Sequence, residues 1–140
     1  MRTTARTCWS SAPDRTRTPA ARDILKRQQK TDGGWSQNPH LAPDAYATGL
    51  ALYALHETGQ LSASDPAYTR GVEFLRKTQF EDGSWYVRSR APKFQPYFQS
   101  GFPYDHDQWI SAIATAYAVM ALAPAAGAQS TASTLIPRQR

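Results

Sequence analysis

Residues 74–85 read Phe-Leu-Arg-Lys-Thr-Gln-Phe-Glu-Asp-Gly-Ser-Trp, and residues 24–35 read Ile-Leu-Lys-Arg-Gln-Gln-Lys-Thr-Asp-Gly-Gly-Trp. Set 50 residues apart, the two stretches place Leu25 over Leu75, Gln29 over Gln79, Asp32 over Asp82, Gly33 over Gly83 and Trp35 over Trp85. Two tryptophans and two Asp-Gly pairs in one register mark an internal repeat, which fixes fold class before any finer reading. A second block follows each copy: Ala-Thr-Gly-Leu-Ala-Leu-Tyr-Ala-Leu at 47–55 matches Ala-Thr-Ala-Tyr-Ala-Val-Met-Ala-Leu at 114–122, an offset of 67. The 17 extra residues lie between Trp85 and the second block. Each unit is an amphipathic segment, an Asp-Gly-x-Trp turn, a loop and a more apolar segment.

Both segments carry helical periodicity. Tyr68, Gly71, Val72, Leu75 and Gln79 fall on one stripe, with Arg70, Glu73, Arg76 and Lys77 outside it. Ala21, Ile24, Leu25 and Gln28 repeat that stripe in the first copy. Asp65-Pro66 supplies an N-cap and a proline suited to a first turn. From Ile110 to Ala123 only Ser111 and Thr115 are polar, and a helix apolar all round reads as buried. Helices are therefore expected at 20–30, 44–58, 66–79 and 108–123, the second and fourth being the more buried. Gly59 is placed to stop the second. No run of period 2 suggests a strand. The fold class is all-α, with two helical hairpins in two layers.

Composition narrows the rest. Residues 1–30 hold eight basic groups against two acidic ones, while the whole chain has a formal net charge of +5. The positive charge is thus terminal, which does not describe a nucleic-acid-binding face. Residues 1–19 read as a disordered basic tail, or alternatively a transit peptide or sequence ahead of a truncated gene, and 124–140 as a second disordered tail. The domain is 20–123. No uninterrupted apolar run of about 18 residues is present, so no transmembrane segment is expected. Sequence does not fix the compartment, the expectation being the cytoplasm or the periphery of a membrane. A single Cys8 provides neither a disulfide nor a cysteine-built zinc site. No cofactor is expected, and no metal ligands are assigned.

The pattern Phe74-Leu75…Gln79…Asp82-Gly83-x-Trp85, with its first copy ending at Trp35, resembles the QW repeat of squalene and hopene cyclases and of related prenyltransferase-type α/α toroids. The resemblance implies a partial toroid of two hairpins, fewer than a closed ring needs. It also implies a cavity for an apolar, isoprenoid-like small molecule. The missing hairpins, or a partner chain, would then cover an exposed edge. Gln29, Asp32, Gly33, Trp35, Gln79, Asp82, Gly83 and Trp85 are read as structural: the amide satisfies helix-end groups, the indole covers it, and Asp-Gly makes the reversal.

The cyclase resemblance also implies a protonating Asp-x-Asp-Asp-Thr at the start of an inner helix. Asp44-Ala-Tyr46-Ala-Thr48 falls in that register, but the proton-donating position holds Tyr46, whose hydroxyl is far too weak an acid to protonate an alkene. Asp44 remains a candidate acid. The dense polar cluster Asp105-His106-Asp107 supplies the other candidates, with helix capping, a ligand-facing role and a metal site all open. Tyr46, Tyr53, Trp109 and Tyr117 are candidate lining for an apolar ligand. Arg88 and Arg90, with Lys93, sit in a loop of prolines and aromatics and could meet an anionic group. The expected function is a terpenoid-cyclase-like toroid fragment without cyclase activity of its own, the alternative being a non-catalytic helical-repeat interaction module.

Overall fold

The computed structural model describes residues 18–92 and 99–133. The expected tail before residue 18, with Cys8, and the residues after 133 lie outside this range, as does Lys93. Four helices follow in order: α1, Thr18–Gln28; α2, Ala45–Glu57; α3, Pro66–Thr78; and α4, Gln108–Ser133, entered through a 3-10 turn at Asp105–Asp107. No strand occurs among the described residues. The all-α class expected for a toroid-type fragment is thus what the chain adopts.

Local chemistry sets the ends. Asp44 caps α2 by accepting from the Ala47 N–H at 2.8 Å, and Asp65 caps α3 by accepting from the Ala67 N–H at 2.8 Å. Gly59 closes α2 with φ +68, donating its N–H to the His56 carbonyl. Two expected boundaries move. Helix α1 already runs at Thr18, inside the stretch assigned to the N-terminal tail. Helix α4 continues past 123, through Pro124, to Ser133. A proline removes one ladder hydrogen bond, but the alanines on either side sustain the helix across it.

The core is built where α2, α3 and α4 meet. Leu52, Leu55, Tyr68, Val72, Leu75, Trp85, Ala114, Ala118 and Ala121 are buried in one cluster with Trp35. Helix α1 contributes only the partly buried Leu25, and Ile24 is exposed. It is tied to α3 by polar contacts instead, through a Lys26–Asp65 ion pair of 2.9 Å. The expectation that α4 is buried all round fails. Trp109, Ile113, Val119 and Met120 are exposed, because α2 and α3 cover only one side of the helix. One described helix bears on the expectation of no spanning segment, by length and composition only. Asp105–Gly127, 23 residues, is long and apolar enough to cross a membrane, although polar side chains interrupt any continuous apolar run. Core helices share that composition, and the buried alanines of α4 are packed inside the fold.

Candidate functional site

The two Asp-Gly turns are built identically. In the first, the Lys30 N–H donates to Gly34 O, Gly33 N–H to Lys30 O, and Asp32 accepts from the Gly34 N–H. In the second, the Phe80 N–H donates to Ser84 O, Gly83 N–H to Phe80 O, and Asp82 accepts from the Ser84 N–H. Gly33 and Gly83 take φ +91 and +83, a left-handed conformation that a side chain would strain. Each indole N–H then reaches back to the preceding outer helix: Trp35 to Leu25 O and Trp85 to Leu75 O, both at 2.8 Å. Both rings are buried, at 3% and 1% exposure. The backbone N–H of each tryptophan donates to a threonine hydroxyl of the following inner helix, Thr48 at 2.9 Å and Thr115 at 3.1 Å.

The glutamines differ. Gln29 donates to Gly33 O at 2.9 Å and to Ala67 O of α3 at 2.8 Å, and its carbonyl accepts from Arg70 at 2.6 Å. It clamps the next outer helix through a carbonyl and a guanidinium rather than through the helix-opening N–H groups. Gln79 makes only the turn contact, to Gly83 O at 3.0 Å, among the described residues.

The candidate acids act as acceptors. Asp44 receives both the Ala47 N–H and the Gln37 amide, the latter at 2.7 Å. Asp107 does not cap a helix. Its carboxylate accepts the Tyr86 hydroxyl and the Ser89 N–H, each at 2.8 Å, pinning the loop after Trp85 to the foot of α4. That hydrogen bond to Asp107 holds the Tyr86 hydroxyl above its ordinary pKa. Asp105 and His106 are exposed. The backbone is left-handed at two successive non-glycine residues, Tyr104 (φ +83) and Asp105 (φ +45), which is a local strain. The bend delivers the Tyr104 ring into an aromatic group with Phe80, Tyr86 and Phe102, and its hydroxyl against Ser84 Oγ at 2.5 Å. No group of three or more metal-ligating side chains occurs among the described residues.

Three of the candidate lining residues converge. The Tyr117 ring lies 6.1 Å from Tyr46 and 6.0 Å from Tyr53, so α2 and α4 meet over a tyrosine cluster. Trp109 stands at the other end of α4, 47% exposed. Arg88 and Arg90 are exposed on the loop, and no described contact brings them to the tyrosines. A cleft of about 220 Å³ beside the first turn is lined by Arg27, Gln28, Lys30, Gln37 and Asn38, a polar wall. Sequence reasoning did not assign Ser111, buried in α4, which accepts from the Val87 N–H at 3.0 Å and donates to Val87 O at 3.2 Å. Nor did it assign Gly49, where an added Cβ would lie 2.8 Å from the Ala118 nitrogen. Its place opposite Ala116 in the repeat was the available signal: a small residue in both copies.

Comparison with known proteins finds two curated cyclases. The chain is 30% identical over 86 residues to lanosterol synthase ERG7 of Saccharomyces cerevisiae, covering 61% of this chain and 12% of that protein. It is 36% identical over 94 residues to the squalene–hopene cyclase of Bradyrhizobium diazoefficiens, covering 59% of this chain and 13% of that protein. The chain therefore spans about an eighth of the length of the curated relatives it matches, and it is a cyclase-like fragment in that sense. No family model and no solved structure matches it.

Proposed function

We propose that the chain is a two-hairpin piece of a triterpene-cyclase-type toroid, its repeated turns being QW clamps. In this reading the tyrosine cluster of α2 and α4 faces an apolar isoprenoid, with squalene the substrate class suggested by the names of the relatives. The observation that carries it is the twice-built turn, in which Trp35 and Trp85 make the same two hydrogen bonds to equivalent partners. Similarity to two cyclases supports the same assignment. Aromatic faces stabilise cations, which gives the tyrosines a chemical role beside a carbocation.

The chain alone lacks the means to start a cyclisation. Alkene protonation needs a carboxylic acid kept protonated in a dry site. Asp44 and Asp107 each already accept two hydrogen bonds, which engage their carboxyl oxygens in holding loops and helix ends, and the register position for the acid holds Tyr46. Incubation of the purified chain with squalene is expected to return squalene unchanged by gas chromatography. A cyclic product that disappears in Asp107→Asn would overturn this and make the Asp105–Asp107 cluster the acid site. The second reading, a non-catalytic interaction module, is favoured by the uncovered apolar side of α4.

A further inference from the structure

Helix α2 receives α4 at a seam that the repeat should present twice. Tyr46 and Tyr53 touch Tyr117, and Gly49 between them lets the Tyr117–Ala118 backbone come close. The offset of 67 is fixed structurally, because Thr48 and Thr115 each accept a tryptophan N–H. At that offset Tyr46, Gly49 and Tyr53 become Ile113, Ala116 and Met120. All three lie on the open side of α4, where Ile113 is 40% and Met120 39% exposed and Ala116 is exposed as well. Trp109 and Val119 extend the same surface. Conversely, Tyr117, which α4 sets against α2, corresponds to Leu50. Leu50 is half-buried, and Ala54, one turn on, is exposed. One chain thus carries both halves of the seam, each used once and each open once.

The outer layer stops on the same side. Gln29 reaches across to Ala67 and Arg70 of the next outer helix, whereas its equivalent Gln79 is exposed and holds only its own turn. An inner face and an outer clamp left open together fit a helical hairpin, which has both layers, better than a lipid surface.

We propose that the open face of α4 docks α2 of a second copy of this chain, head to tail, continuing the α2–α4 seam between molecules. This stands on the repeat geometry and is independent of any catalytic reading. Because the two contacting faces differ, the contact is heterologous, and it propagates unless the ring closes.

Sedimentation velocity on the full chain tests this between about 1 µM and about 1 mM, the upper range in which weak contacts populate. The average mass should rise with concentration. Met120→Lys, blocking the α4 face, and Ala54→Lys, blocking the α2 face, should each be monomeric alone. Mixed in equal amounts they should form a 1:1 dimer and nothing larger, since each retains the face the other lacks. Ile113→Lys and Leu50→Gln serve as second variants, with helix content checked by circular dichroism. A wild-type chain that stays monomeric to 1 mM overturns the proposal. So does an Ala54→Lys variant that still self-associates, which would mean α4 pairing with α4. A mixture that remains monomeric, with wild-type chain binding phosphatidylcholine vesicles and Met120→Lys not, would assign the face to lipid instead.

Discussion

Thr48 and Thr115 each take the backbone N–H of a tryptophan that has just left a tight turn, 13 residues upstream in one unit and 30 in the other. The second unit is 17 residues longer, and the bond is nonetheless the same in both. Both threonines are visible in the sequence match, yet their partners are not, because the bond depends on a loop folding back. The tryptophans were legible for the opposite reason: a large residue after Asp-Gly, repeated, has few uses besides burial. Trp85→Ala should cost about 3–5 kcal/mol in urea denaturation, since a fully enclosed ring leaves a cavity. Trp85→Phe should cost less, losing the indole bond to Leu75 O but keeping most of the packing. A midpoint shift near zero for the alanine variant would show the clamp to be dispensable. Asp65 makes a pH-dependent contribution. Its partial burial raises its pKa, but the Lys26 ammonium and the Ala67 N–H outweigh this and leave it below the ordinary carboxylate value. A depressed folded-state pKa means stability present above the unfolded value near 4 and lost as pH falls through the folded one. Asp65→Asn should therefore flatten the acid limb of the stability curve below about pH 4.

Helix α2 shows how packing reverses a propensity. In an exposed helix, glycine to alanine stabilises by about 1 kcal/mol. At Gly49 the same change should destabilise, because the new Cβ would stand 2.8 Å from backbone atoms of α4 that have no rotamer to yield. Gly49→Leu should cost about 1–3 kcal/mol or more. Ala116→Gly, the repeat-equivalent site on the open side of α4, should lose only the helix-propensity increment. Equal effects at the two positions would contradict the one-sided cover of α4. At this scale the sequence predicted element type and order well, because the stripe of α3 and the cap at Asp65 are local signals, whereas the capping role of Asp44 was not assigned. It missed the end of α4. A small-residue segment beginning with proline reads as a terminus, whereas the chain carries helical geometry through it to Ser133.

For the whole molecule, the repeat identified two stacked hairpins, and the similarity to two cyclases places them as a small segment of much longer relatives. What could not be read was which side of an all-apolar helix lacks a neighbour, since composition is the same for a helix covered all round and one covered on a single side. The hydrogen-bond partners of the candidate acids could not be read either, because Gln37, Tyr86 and Ser89 come from loops. Those loops have one more consequence. Residues 36–44 and 86–92, which follow the two turns, contain no helix or strand, and loop amides ordinarily exchange with solvent deuterium quickly. Here the amides of Trp35, Trp85 and Val87 are bonded to hydroxyls of Thr48, Thr115 and Ser111 on the inner helices, Thr48 and Ser111 being buried and Thr115 half-buried against the buried Trp85. They can exchange only when the inner helix itself opens. In a deuterium-uptake map these three loop positions should be as slow as the middle of α2 and α4, and a Ser111→Ala variant should release Val87 while leaving Trp35 protected.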